Sequence, residues 1–283
     1  MLPAISMGIL PIHIEMLKEA SRAGLIHGKA LVISKQSVIG LDQLTKSDDT
    51  DHQETHQLDC KILLQQLGAT EVSVCGIEPS DDIDFYLDLN ECLAQELAGS
   101  YDLVIDFGTT EHVFNTSRAL RSLSLMCRVG GTVICSAPCS NAVNHGYVSI
   151  SPCLMDDIFD KDTYSKRKMV LRVGSPWLYE RKSHLYEVLD PQRENLIVTD
   201  KQVEAIFFGT KTGEDIKTTP IQAIYRNENE PERSTGGFKA TITGFLRAIA
   251  MKLPYRFEKA MLRRHENKAL RRVKSLSFDD WHS

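Results

Sequence analysis

Two short histidine motifs hold the residues of this chain best suited to acid–base chemistry. Glu111-His112 follows one short apolar run, and Asn144-His145-Gly146 lies in a polar stretch after the next such run. The side-chain pKa of histidine is about 6.5 in model peptides, which makes imidazole a natural base toward an acceptor hydroxyl or amine. The alternative for each histidine is a buried structural role. Between the two we favour His145 as the base, because His112 lies where the next helix is expected to begin.

Other polar residues follow predicted strands and could hold a ligand. Ligands of open α/β sheets bind outside the carboxyl ends of the strands. Lys35 and Gln36 could form hydrogen bonds with a carboxylate, and Glu78 could accept hydrogen bonds from both hydroxyls of a ribose. The alternatives are a solvated acidic turn at Glu78 and a helix cap at Asp88-Leu89-Asn90.

The apolar pattern predicts a doubly wound α/β domain that would position these residues. The run 103–105 has no polar alternation, which is typical of a strand covered on both faces. Helices and strands alternate from residue 28 to residue 136. Strands are predicted at 30–33, 72–77, 83–89, 103–105 and 132–135, and helices at 60–67, at 91–97 and before Gly130-Gly131, which would end the third helix.

Beyond this region the pattern is less regular. A helix is predicted within residues 8–23 and another near 154–159, and further strand-like runs occur at 169–171, 197–198, 203–208 and 221–224. Residues 41–57 are polar and acidic, which is typical of an exposed insert. We predict a helical lead-in at 1–27, the α/β domain at 28–225, a linker at 226–237 and a basic helical tail at 238–283.

The stretch 101–138 resembles the second half of a class I S-adenosylmethionine (SAM)-dependent methyltransferase. The resemblance is carried by an Asp within an apolar strand, by Glu-His-Val after that strand, and by a basic residue with Gly-Gly before the next strand. Asn144-His145-Gly146 and Ser151-Pro152 extend it, so that it covers about residues 28–160. It implies a Rossmann-like, mostly parallel seven-stranded sheet with an antiparallel edge hairpin, and SAM as cofactor.

The resemblance also implies a set of site residues. In the family, a carboxylate at the position of Asp88 receives the adenine amino group and the next backbone amide meets the ring, while Gly108 permits close backbone approach. The family's glycine-rich loop is not matched at 34–40. The implied cofactor-binding residues are Lys35, Gln36, Ser37, Glu78, Asp88, Leu89, Phe107, Gly108, Thr109 and Glu111, with His145 and His112 as candidate bases.

We therefore expect a SAM-dependent methyltransferase that acts on an oxygen or nitrogen atom of a small-molecule or glycan-type acceptor. A nucleic-acid acceptor is not expected. The nucleic-acid methylases of the resembled family carry a Pro-Cys pair after the fourth strand, whereas Pro138-Cys139 follows the fifth predicted strand. The unmatched loop leaves a second function class open. This is a catalytically silent binding module that recruits a partner or an anionic surface through its basic tail.

Composition and charge favour a cytoplasmic protein with a basic tail. The seven cysteines form no CxxC pair, which favours free thiols in a reducing compartment and no metal site. Residues 236–283 carry eleven Lys/Arg and four Asp/Glu, a net of +7, whereas the whole chain carries −5, so the rest carries −12. The tail could pack on the acidic body or on a second subunit of a homodimer, lie on a membrane surface without spanning it, or bind nucleic acid.

Overall fold

A nine-stranded mixed sheet organises the part of the chain that the structure describes. The structure is a computed structural model, and it describes residues 8–38, 59–78, 80–174, 183–192, 196–197, 199–214, 219–222, 225 and 270–278. The predicted acidic insert at 41–57, the linker at 226–237 and all of the predicted helical tail except 270–278 lie outside these residues.

The secondary structure follows the predicted alternation over most of the described chain. The strands are β1 Gly8–Ile9, β2 Gly28–Ile33, β3 Ser37–Val38, β4 Ala69–Gly76, β5 Phe85–Tyr86, β6 Tyr101–Phe107, β7 Cys127–Ser140, β8 Tyr164–Gly174, β9 His184–Val188, β10 Gln202–Lys211 and β11 Leu270–Val273. The helices are α1 Pro11–Arg22, α2 Cys60–Gln66, α3 Thr116–Met126 and α4 Pro152–Ile158, with 3₁₀ turns at Gln95–Leu97 and Thr110–His112.

The strand order is that of a doubly wound fold. Along the sheet it reads β11-β9-β8-β10-β7-β6-β2-β4-β5. The five strands from β7 to β5 are parallel to one another, and β10 runs antiparallel to both β7 and β8. The chain moves outward from β2 through β4 to β5, and then returns to build β6 and β7 on the other side. The order therefore reverses between β2 and β6, which is the point where such sheets bind ligands.

The predicted count of seven strands is wrong, although the doubly wound α/β architecture is confirmed. Seven strands run from β5 to β8 and include the antiparallel β10. The additional strands are β9 and β11, which pair antiparallel at one edge. The residues of β11 had been assigned to a helix, and no strand had been predicted at 184–188.

Burial on both faces explains the unbroken apolar runs. In β2, Ala30 and Val32 belong to one core cluster, while Leu31 and Ile33 belong to the other. Helices α1 and α2 cover the first face, and α3 and α4 cover the second. Fully burying one such aliphatic side chain stabilises the fold by about 1.5–3 kcal/mol. Both faces of the central strands thus contribute to stability.

Gly130-Gly131 does not end the third helix as predicted. Helix α3 ends at Met126, and both glycines lie within β7, which begins at Cys127. A Cβ atom on Gly131 would lie 2.8 Å from the backbone oxygen of Asp102 on the neighbouring strand. Gly130 has a φ of 84°, in the left-handed region that glycine tolerates best. These glycines therefore serve the pairing of β6 with β7.

The segment between β4 and β6 is less regular than predicted. The expected strand at 83–89 is reduced to β5, and the expected helix at 91–97 is a single 3₁₀ turn at Gln95–Leu97. The carboxylate of Asp84 accepts a hydrogen bond from the backbone amide of Val74 at 2.6 Å. A side chain thus satisfies an edge amide that a longer β5 would otherwise have bonded.

The described end of the tail is a strand instead of the predicted helix. Leu270–Val273 pairs antiparallel with β9, and Arg271 forms an ion pair with Glu187 on that strand. Leu276 and Phe278 follow and are buried in the core. By pairing with β9, strand β11 covers an edge that β9 would otherwise expose. Residues 270–278 therefore pack on the acidic body. Among the described residues, no helix has the length and apolarity needed to cross a membrane.

Candidate functional site

The loops after β2 and β6 meet at the point where the strand order reverses. The Thr109 hydroxyl donates a hydrogen bond to the backbone oxygen of Ile33, the last residue of β2, at 3.2 Å. The amide of Ser34 donates to the oxygen of Cys75 on β4 at 2.8 Å. These bonds tie together the carboxyl ends of three neighbouring parallel strands. They bring most of the predicted site residues to one edge of the sheet.

The loop after β2 turns without glycine. Ser34 has a φ of 62°, a conformation uncommon for residues other than glycine. Gln36 is buried and donates to the oxygen of Ile33 at 3.1 Å, while its Oε1 is buried without a hydrogen-bond partner among the described residues. Lys35 is exposed and pairs with Asp82, and this contact raises the pKa of its amine. Ser37 begins β3, which pairs with β1. A short β-pairing thus occupies the place of the family's glycine-rich loop.

Glu78, Asp88 and Leu89 follow the next strands at the same edge. Glu78 is exposed, two residues beyond β4. Asp88 Oδ1 accepts from the amide of Asn90 at 2.8 Å and from its side chain at 3.0 Å, so this carboxylate caps a turn. Leu89 is buried in the core. The alternative of a helix N-cap for residues 91–97 is wrong, because in the described chain no helix begins directly after Asn90 and Asp88 caps a turn instead. The contact of Asp88 with adenine stays a prediction.

Asp106 organises the loop after β6 and was not identified from the sequence. Its carboxylate accepts from the amides of Thr109 at 2.9 Å and Thr110 at 3.2 Å. Complete burial raises the pKa of Asp106 to about 6, against the opposing effect of these hydrogen bonds. Gly108, with a φ of 88°, lets the backbone turn between Asp106 and Thr109. An Asp followed by Gly-Thr-Thr is a turn signal that could have indicated this role.

The turn held by Asp106 presents Glu111 and His112 beside His145. We call these three residues the Glu–His–His cluster. Glu111 Oε1 lies 3.7 Å from His145 Nε2 and 3.8 Å from His112 Nε2. The two imidazole centroids are 5.1 Å apart. The side chain of Glu111 is 0% exposed, that of His145 is 20% exposed and that of His112 is 44% exposed. The two histidines, weighed as rivals in the sequence, occupy one site.

The carboxylate of Glu111 is buried and receives no hydrogen bond from the described residues. Neither of its oxygens has a hydrogen-bond partner in the described part of the chain, and the same is true of His145 Nε2. Burial, together with the negative charge of Asp106, raises the pKa of Glu111 to about 9. Burial and the neighbouring His145 lower the pKa of His112. The surroundings therefore favour a neutral carboxyl group at Glu111 and a neutral imidazole at His112.

Gly146 allows the second histidine motif to pack against the first. The backbone amides of Tyr147 and Val148 donate to the oxygen of Glu111 at 2.9 and 3.3 Å. A Cβ atom at Gly146 would lie 2.8 Å from that oxygen and 2.9 Å from Glu111 Cγ. The missing side chain thus permits the close contact that places His145.

Gly146→Ala is expected to destabilise the protein by about 1–3 kcal/mol, because backbone has to move to relieve the contact. Chemical denaturation would measure the change. Gly213→Ala is the matched control, since a Cβ atom there would meet its nearest neighbour at 3.5 Å. Equal stability of the two variants would contradict the packing role of Gly146.

A buried polar network lies behind the site and was also missed from the sequence. Glu204 on β10 accepts hydrogen bonds from Ser136 and Arg172 and contacts His13 Nε2 at 3.2 Å. The His13 ring stacks on Phe107 at the end of β6, with centroids 4.9 Å apart. Burial alone would raise the pKa of Glu204, but His13 and Arg172 hold it below its usual range. The network fastens α1 to the strands beneath the site.

Comparison with known proteins finds similarity in structure but not in sequence. No family model and no curated protein matches the chain. The YcgJ protein of Bacillus subtilis is 9% identical, with a TM-score of 0.41 over 71% of this chain and 98% of that one. The 1,6-didemethyltoxoflavin-N1-methyltransferase of Burkholderia thailandensis, solved with 1,6-didemethyltoxoflavin and S-adenosylhomocysteine, is 10% identical, with a TM-score of 0.40 over 71% and 78%.

A SAM-dependent methyltransferase from Mesorhizobium loti is 16% identical, with a TM-score of 0.27 over 42% of this chain and 51% of that one. The chain thus spans about half of that enzyme's length. Since these TM-scores are below 0.5, the fold is assigned from the strand order instead of from the superpositions. That order makes the structure a divergent Rossmann-like α/β fold of the class I methyltransferase type.

Proposed function

We propose that the protein is a SAM-dependent methyltransferase that acts on an oxygen or nitrogen atom of a small-molecule or glycan-type acceptor. The observation that carries this proposal is the convergence of three loops where the strand order reverses. The loops follow β2, β4 and β6, and hydrogen bonds from Ser34 and Thr109 tie the strand ends together. Open α/β sheets bind their ligands at this position.

The residues at this edge fit the cofactor in part. Gln36 offers a buried Oε1 without a partner among the described residues, and exposed Lys35 could exchange Asp82 for the cofactor's carboxylate. A ribose could approach the carboxylate of Glu78, because this side chain is exposed. Gly108 would allow the backbone to approach the ligand closely. The left-handed Ser34 provides the turn that the family builds with glycine.

The chain's own residues would position the acceptor, exclude water and remove a proton. SAM, when bound, supplies an electrophilic methyl group, so positioning contributes most of the rate. The acceptor side is the Glu–His–His cluster, which lies beyond the carboxyl ends of β6 and β7. His145 would take the proton of an acceptor hydroxyl or amine at Nδ1, because its Nε2 is buried against Glu111.

Calorimetric titration with SAM and S-adenosylhomocysteine tests the proposal. We expect dissociation constants in the micromolar range, and about tenfold weaker binding by Glu78→Gln, since a charged acceptor of the ribose hydroxyls is lost. Glu96→Gln is the matched control, because Glu96 is an exposed acidic residue on the 3₁₀ turn at Gln95–Leu97. A folded sample that binds neither ligand at millimolar concentration would instead indicate the silent binding module.

A further inference from the structure

We propose that the Glu–His–His cluster is a binding site for one divalent transition-metal ion of the class that Zn²⁺ represents. The cluster offers one carboxylate oxygen and two imidazole nitrogens, which all lie within 4.8 Å of one another. Two histidines and one carboxylate form the donor set of many zinc sites and of non-haem iron(II) sites. All three side chains of the cluster are therefore of types that bind such ions.

The spacing of the donor atoms suits an ion between them. Distances of 3.7 and 3.8 Å from Glu111 Oε1 to the two Nε2 atoms are too long for hydrogen bonds. Metal–ligand bonds of about 2.0–2.2 Å would put neighbouring donor atoms roughly 3–3.4 Å apart. Small rotations of the three side chains would therefore close the site around an ion. The backbone already holds the histidine motifs together through the amides of Tyr147 and Val148.

A second, independent observation is the unpartnered carboxylate of Glu111. Its side chain is 0% exposed and its two oxygens lack hydrogen-bond partners in the described residues. No lysine or arginine of the described ranges forms an ion pair with it. Burying a carboxyl group in this way is costly unless a cation or donor compensates for the lost water. A divalent ion would supply that compensation directly.

The site would keep an open side toward solvent. The side chain of His112 is 44% exposed, whereas His145 Nε2 and both oxygens of Glu111 are buried, so ligands could reach an ion from the side of His112. Catalytic metal sites have three protein ligands and such an open position. A hydroxyl bound there would lose its proton to solvent more readily, and the ion would then replace His145 as the activating group. This role rests on the proposed methyl transfer, whereas metal binding itself does not.

Titration of the untagged, metal-stripped full chain with Zn²⁺, and with Co²⁺ followed by visible absorption, tests the site. We expect one tightly bound equivalent per chain, with Co²⁺ bands that indicate histidine and carboxylate ligation. Absence of saturable binding by either ion in a folded sample would overturn the proposal. Because no SAM is present, this result is separate from the calorimetry of the cofactor.

Matched variants locate the ion. Glu111→Gln and His145→Ala are each expected to weaken Zn²⁺ binding at least about 100-fold, beyond the 10–100-fold that loss of an outer partner costs. His112→Ala should do the same, and because the side chain of His112 is 44% exposed, its removal should leave the fold intact. His27→Ala, which removes a histidine outside the cluster, should bind as the unaltered chain does. Unchanged affinity in all three cluster variants would overturn the assignment.

Discussion

Replacing His145 by alanine is expected to lower the rate of methyl transfer about 10²–10⁴-fold while leaving SAM binding unchanged. The imidazole lies 3.7 Å from the buried Glu111 carboxylate, on the side of the sheet edge where we propose that the acceptor binds. Its loss removes the proton acceptor, or one of three ligands if an ion is bound. The measurement is release of S-adenosylhomocysteine with a panel of small hydroxyl and amine compounds and glycosides.

Two comparisons make this result specific. His27→Ala should retain full turnover, because His27 lies at the opposite end of β2 and bonds only the backbone oxygen of Gly24 among the contacts in the described chain. Addition of a chelator distinguishes the two uses of His145. A rate that is lost with chelator and restored by Zn²⁺ indicates a metal ligand, and a rate that is unaffected indicates a base. Full turnover by His145→Ala would remove the residue from the mechanism.

Replacing Glu204 by alanine is expected to destabilise the fold by about 3–5 kcal/mol, since one partner of a buried charge network is removed. Arg172 is itself buried and would lose its carboxylate, and the contact that joins α1 to the sheet through His13 would be lost. Urea or thermal unfolding would measure the change. Glu15→Ala is the control, because it breaks an exposed pair with Lys18 and should cost under about 1 kcal/mol.

The difference in unfolding free energy between the unaltered protein and Glu204→Ala should depend on pH, and its direction follows from the pKa of Glu204. The pKa of Glu204 in the folded protein is lowered by His13 and Arg172 despite burial. A lowered pKa means that the folded state binds fewer protons, so the stabilisation is present above the unfolded pKa of about 4.3. It is lost as the pH falls through the lower folded value. The two proteins should therefore converge in stability in strong acid, and a constant gap would contradict the ionised network.

The central strands were predictable because they are covered on both faces. Runs such as 103–105 contain no polar alternation, and the structure buries both faces of β2 and β6. The location of the polar residues that follow these strands was also predictable, because the carboxyl ends of parallel strands meet at one edge of the sheet. The edge elements were not predictable in this way. Whether Leu270–Val273 forms helix or strand depends on the edge of β9, which lies far away in the chain.

The sequence by itself determined the doubly wound core and the motifs Glu111-His112 and Asn144-His145-Gly146, because local periodicity and residue type carry that information. Only the tertiary structure decided that the two motifs form one cluster. Their association depends on the parallel pairing of β6 with β7, on Asp106, and on the absence of a Cβ atom at Gly146. The burial of Glu111 likewise follows from contacts between distant segments. Residue types suggested a base, and three-dimensional packing places beside it a second imidazole and a buried carboxylate that receives no hydrogen bond from the described residues.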